Sequence, residues 1–295
     1  MRRKKKPVII TDSQSQWSLI WARYRKDRVA MAATIVLLLI ILSSLTADLF
    51  FDYDAQALQL NIAEKNLTPC AEHWMGTDNF GRDILARVVY GSRYSLFFGI
   101  GCTAVSLLFG SLLGAAAAYW GGVLDDLLMR FLDAWMCIPS MLLMLLMAAV
   151  MGTGMVPMMI AITISSIPGF TRIVRSVVLS IVSQDYIEAA RISGVKDHVI
   201  ICRHIIPNAI GSIIVNGMMS ISGTIMSAAG LSYIGMGIQP PIPEWGSMLN
   251  EAMDCIRLYP HNAIYPGIAI IVTALCFNII GDGLADAVDP RRNSN

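Results

Sequence analysis

The chain has 295 residues and a formal charge of only +1, and it is 55% hydrophobic and 15% charged, against roughly 25% charged in an average soluble domain. This balance excludes an ordinary soluble domain. The near-neutral total says little about partners, since only the placement of charge across a membrane would carry information.

Residues 1–28 form a basic segment with nine Lys or Arg, namely Arg2, Arg3, Lys4, Lys5, Lys6, Arg23, Arg25, Lys26 and Arg28. The cluster ending at Lys6 leads into a polar stretch, so it does not open a cleavable signal peptide. Five runs without a charged residue follow: Val29–Ala47, Tyr94–Leu124, Ala134–Thr171, Ile205–Pro243 and Leu258–Gly281. Each approaches or exceeds the ~20 apolar residues a helix needs to cross a bilayer, where backbone amides find no water and must pair within the helix.

The first run reads as a retained span over 29–51, too long for a signal core of about 7–15 residues. An external loop over 52–93 comes next. Within it Thr77 or Asp78 is placed to cap an amphipathic helix with Phe80, Ile84, Leu85 and Val88 on its apolar side. That helix is read as sealing the outer leaflet rather than touching cargo. A core of five further spans occupies 94–286: 94–120, 127–150, 156–178, 208–230 and 262–280. The turn Met151–Pro157, with two glycines and a proline, divides the third span from the fourth. Gly235–Pro243 holds too many helix breakers for a span and reads as an external or partly re-entrant loop. Residues 287–295 form a tail.

The fold class expected is therefore all-α and integral to a membrane, with six transmembrane helices. An even count puts both termini on one side, and the basic N-terminal segment makes that side the cytoplasm. The outer loop Asp48–Arg93 carries seven acids and four bases, whereas the segment between spans four and five is rich in Arg and Lys, which agrees.

Several residues stand out as candidates. Asp133 lies within span three, and an intramembrane carboxylate is a pathway or gate candidate; bonding to water or Arg130 is the structural reading placed ahead of it. Trp245 is a possible gate element, though an interfacial anchor comes first. His73, His198, His204 and His261 fall on opposite sides of the membrane and make no shared metal site. Cys70 and Cys255 both fall outside, which leaves a disulfide open. Pro139, Pro157, Pro168, Pro207 and Pro266 suggest bends in the spans. Eighteen methionines offer adaptable apolar surface, with a metal path the weaker alternative.

The connection at 183–207 carries the most information. Asp185 followed by Glu188 reads as a capping-box start, and Gly194 as the stop of a helix over Tyr186–Ser193. Asp197 caps a second short helix toward His204, and Pro207 opens span five. Ala189, Ala190 and Gly194 leave room for another protein to approach between the charges of Glu188 and Arg191.

The series Glu188-Ala189-Ala190, Gly194, then His204-Ile-Ile-Pro207 resembles the EAA loop of ABC-importer permeases, whose coupling helix docks on the ATPase subunit. That family usually has an aliphatic residue where His204 stands and Leu where Ile206 stands. Further segments resemble its dipeptide, oligopeptide and nickel branch. They are Gly76–Asp83 with Arg87, Gly91–Leu96, Pro243–Leu249, and Phe277–Leu284 leading to Asp289-Pro290-Arg291. The resemblance implies a permease in a bacterial cytoplasmic membrane. It would work with a second, homologous permease, two ATPase subunits and an extracytoplasmic solute-binding protein, and without nucleic acid. Cargo would be di- or oligopeptide, with nickel or a metal chelate as the alternative. ATP and magnesium would bind in the partner ATPases: this chain has no GxxxxGK[ST] and no Gly-Lys pair. It is accordingly not read as an enzyme, and HExxH and GxSxG are missing too. An ion-coupled carrier built around Asp133 is the competing class.

Overall fold

The computed structural model describes residues 16–288. Arg2–Lys6 and Arg291-Arg292, on which part of the charge argument rests, lie outside them. Two helices open the described chain, α1 (Gln16–Tyr24) and α2 (Arg28–Leu45). The Asp27 carboxylate accepts from the Val29 and Ala30 amides and so caps α2. The short α3 (Ala47–Phe50) leads into an irregular segment that ends at Asp83.

Asp83, not Thr77 or Asp78, caps the next helix, its carboxylate accepting from the Ala86 amide at 2.8 Å. The expected separate amphipathic helix is absent. Phe80 sits in a turn, while Ile84 and Val88 belong to α4 (Ile84–Trp120), which continues through the whole second span. Asp78 is drawn instead into ion pairs that bend the chain back on itself. Gly81, at φ +79, makes the turn, and a Cβ there would collide with the Asn61 carbonyl.

The third span is also different from the expected continuous helix. Two helices, α5 (Gly122–Met136) and α6 (Ser140–Met151), meet at an 80° bend. Pro139 stands at the break, where it lacks an amide to continue the ladder and disfavours helical geometry at Ile138. The fourth span, α7 (Met155–Val182), crosses without interruption through Pro168. After α8 (Asp185–Ile192) and α9 (Asp197–Ile200), a π-helical turn over Ile201–Ile205 runs into α10 (Ile206–Tyr233). Pro207 lies in its first turn, as expected. The breaker-rich segment Gly235–Pro243 folds into turns, as expected, and a short helix, α11 (Trp245–Ala252), follows it before α12 (His261–Val288). Among the described residues five helices are long and apolar enough to cross a membrane, or six with the bent α5–α6 pair as one span.

The bundle is built around α4. Its small residues let α7 come close: a Cβ on Gly110 would lie 2.5 Å from the Phe170 Cβ, and one on Gly114 2.5 Å from the Thr171 carbonyl oxygen. On the other side α10 packs on α12, and α2 lies against α12 and α4. All six cysteines are free, so the disulfide left open between Cys70 and Cys255 is not formed.

Candidate coupling site

One end of the bundle carries the 183–207 connection. Asp185 is the first residue of α8 rather than its cap: Gln184 holds the cap position but its side chain donates back to the Ser180 carbonyl instead of capping α8. The C-terminal stop is as expected. Gly194 adopts φ +75, its amide donates to the Arg191 carbonyl at 3.0 Å, and the Val195 amide donates to Ala190 at 3.1 Å. These are the two bonds that close a helix on a left-handed residue. A Cβ at Gly194 would meet nothing within 4 Å, so backbone conformation, not crowding, calls for glycine.

Ile187 is the inward anchor of α8. It joins Ile200, Ile205, Val174, Val178 and Tyr119 in one buried cluster. Asp185, Tyr186, Glu188, Ala189 and Ile192 face out, and Ile192 is 81% exposed. The element is held firmly to the bundle by Tyr119 at the end of α4. The Tyr119 hydroxyl donates to Asp197 at 2.6 Å, Arg191 donates to the Tyr119 carbonyl at 3.2 Å, and the Arg191 guanidinium lies 4.6 Å from the Tyr119 ring centre. Asp197 thus serves as an acceptor, while Lys196 takes the cap position of α9. Tyr119 escaped the sequence reading because it lies in another span, and only its aromatic character near a helix end hinted at a role.

Glu188, Ala189, Ala190 and Gly194 therefore share one helix and its cap. His204 and Pro207 sit at the base of α10 and join them through Tyr186, whose ring centre is 6.4 Å from that of His204. Asp133 is elsewhere: it pairs with Arg172 of α7, not with Arg130.

Trp245 is at the far end of the bundle. It is no interfacial anchor, being 1% exposed, and its indole N–H donates to the Val88 carbonyl at 3.0 Å. Gly91 is the notch for this ring, as a Cβ there would come 2.9 Å from it. Glu244 caps α11 with both carboxylate oxygens, accepting from the Gly246 and Ser247 amides at 3.0 and 2.9 Å. Burial pushes the Glu244 carboxyl up from its ordinary value, opposed by these two amides. Beside them lies a buried network of four charges. Asp78 accepts from Arg82 at 2.7 Å and from Arg87 at 2.5 Å, and Glu251 accepts from the same two arginines at 2.8 and 2.7 Å. Asn79 adds a bond to the Glu251 carbonyl at 3.0 Å.

The chain as a whole has counterparts among known sequences. Residues 107–294 match the family described as binding-protein-dependent transport system inner membrane component. The chain belongs to this family. Residues 15–69 further match the N-terminal TM domain of oligopeptide transport permease C. The glutathione transport system permease protein GsiD of Pectobacterium atrosepticum is 42% identical over 98% of this chain and 96% of its own. GsiD of Escherichia coli O6:K15:H31 is 41% identical over 97% and 94%. Among solved structures, the MetNI methionine ABC transporter in inward-facing conformations shares the fold, with a TM-score of 0.55 and 18% identity over 70% of this chain and 98% of that one. As a member of the binding-protein-dependent family, the chain is a permease subunit of an ABC importer and a multi-pass protein of a bacterial inner membrane. It is the membrane subunit of such a system and not its catalytic one.

Proposed function

We propose that this permease imports glutathione or a similarly short peptide, with α8 as the element that receives the power stroke from an ATPase subunit. The observation that carries the coupling assignment is α8 itself: a rigidly capped helix, anchored inward by Ile187 and Tyr119, that offers Glu188, Ala189 and Ile192 outward. The cargo class rests on relatives named for glutathione transport that align with nearly the whole chain. In this reading α8 faces the cytoplasm, as do both termini, in keeping with the basic N-terminal segment. The assembly contains a second homologous permease, two ATPase subunits that hold ATP and magnesium, and an outer solute-binding protein. Because α8 is fixed to the ends of α4, α7 and α10, closure of the ATPases moves those spans as a body. Loaded binding protein outside then biases the pathway between its two orientations.

The test is uptake of radiolabelled glutathione and ATP hydrolysis in proteoliposomes holding the chain with its co-purified partners, comparing wild type with Glu188→Lys and Gly194→Trp. Both variants are expected to assemble into the membrane, and to lose uptake together with the ATPase activity that copurifies. Uptake by the chain without partners, or variants that transport as wild type does, would overturn the coupling role.

A further inference from the structure

At mid-depth the bundle carries a groove of mixed polar and apolar lining that neither the coupling helix nor the outer charge network explains. It measures ≈ 300 Å³ and lies between α7 and α10, lined by Ser166, Gly169 and the apolar Phe170 and Ile173 of the first and by Ser220, Gly223, Thr224 and Ser227 of the second. These positions fall at or next to the middle third of both spans. Ser166, Ser220 and Thr224 bond to carbonyls of their own helices, so their hydroxyls alone do not say whether the groove faces lipid or water.

Two independent observations say what the groove faces. The first comes from its glycines. Where glycine serves packing within this chain, an added Cβ would collide, as at Gly110, Gly114 and Gly281. Gly169 and Gly223 are different: both stand in ordinary helical backbone, and a Cβ on either would meet nothing within 4 Å, as at Gly101, Gly230 and Gly267, but among these open helical glycines Gly169 and Gly223 are the pair that lines the groove. Glycine is a poor helix residue, and nothing inside the chain requires it there. The clearance belongs to something that passes outside these helices. The second is the ion pair of Arg172 and Asp133, placed beside Gly169 at the i+3 position. Both side chains are exposed, at 43% and 60%. Charges exposed within a spanning segment must meet water, not lipid or a dry helix contact.

The geometry points to this groove as this chain's wall of the solute pathway, built to slide a neutral, hydrogen-bonding main chain past hydroxyls without a fixed charge to hold it. The inference rests on the proposed import of short peptides and adds the surface that would line their route. Ser166 and Ser220 donate their hydroxyl hydrogens to carbonyls of their own helices, and their oxygens remain as acceptors for peptide N–H groups. Thr224 is buried and its hydroxyl is shared with that of Thr103 at 2.9 Å, so it braces the wall instead of facing the route. Gly169 and Gly223 set the width. Binding at such a wall is weak and spread over several contacts, which suits a site that must release its cargo. The Arg172–Asp133 pair then sits at the end of the groove nearer α8, where it keeps the exit wet.

The experiment uses the whole transporter in proteoliposomes, on a background whose six native cysteines are replaced and which retains the ATP hydrolysis of the wild type. Single cysteines at Gly223, Ser227 and, as a control on the outer side of α12, Ile271 are exposed to a charged, membrane-impermeant methanethiosulfonate. Gly223→Cys and Ser227→Cys are expected to react, at rates that change with nucleotide, while Ile271→Cys stays inert. In parallel, Gly223→Leu is expected to lose uptake while keeping its assembly and basal ATP hydrolysis. If the two groove cysteines are inert in every nucleotide state, or Gly223→Leu transports like wild type, the groove is not the pathway. Reagent access does not depend on cargo, so a transporter that ignores glutathione yet modifies these cysteines would sink the peptide reading and leave the groove standing.

Discussion

Arg82 and Arg87 are each about as buried as a side chain can be, and both survive because Asp78 and Glu251 share them. A charge without a partner in such a place is expensive, whereas the closed network balances two positive and two negative groups. Its worth therefore shows only when it is opened. Arg87→Met is expected to lower stability by about 3–5 kcal/mol, read as a fall in the thermal midpoint of the purified protein in detergent. Arg87→Lys, which keeps a positive charge beside Asp78 and Glu251, should lose less than Arg87→Met, and an equal loss would mean that guanidinium shape and packing, not charge, hold the site. The sequence showed Asp78, Arg82 and Arg87 within one motif but gave no sign of Glu251, which lies more than 160 residues away from both arginines. Such a partner can be found only when the chain has folded back. Capping residues failed for a related reason: Thr77, Asp78 and Asp83 all have oxygens suited to a helix start, and tertiary ion pairing removed Asp78 from the competition.

Elements were more legible than their interruptions. Spans four, five and six lie close to their expected bounds, since a long uncharged apolar run in a bilayer has little alternative to a helix. The 80° break between α5 and α6 was not legible, because Pro139 is compatible with a mild bend or a sharp one. Pairing between spans followed small residues. Gly110 and Gly114 of α4 admit the α7 backbone, while Gly101 on the same helix faces open space. Gly114→Leu is accordingly expected to cost about 1–3 kcal/mol through overpacking, and Gly101→Leu to be neutral. Resistance of each variant to unfolding by sodium dodecyl sulfate would check this. Equal losses at both positions would rule out the close α4–α7 contact as the cause.

At the level of the whole molecule, the N-terminal helices dock along the last span, with Tyr24, Ala30 and Leu37 in one cluster with Phe277, Ile280 and Ala287, and their closest approach is at Gly283. A Cβ on Gly283 would lie 2.5 Å from the Ala30 Cβ and 3.1 Å from the Tyr24 ring, and the Tyr24 hydroxyl shares a 2.6 Å hydrogen bond with Thr34. Gly283→Leu is expected to release α1 and α2 from α12 while the remaining spans stay assembled. Faster tryptic cleavage at Arg25 and Lys26, with an unchanged thermal midpoint for the rest, would report it; unchanged cleavage would show that the contact is not the docking point. By itself the sequence determined the class of fold and which apolar runs become membrane helices, because hydrocarbon imposes its demand on every residue of a crossing segment and leaves a one-dimensional trace. Tertiary structure alone decided that Trp245 is buried in the notch at Gly91, that Tyr119 fastens α8, and that hydroxyls of α7 and α10 share a groove. Those outcomes depend on which helix faces come together, and distance along a chain does not encode distance between packed helices.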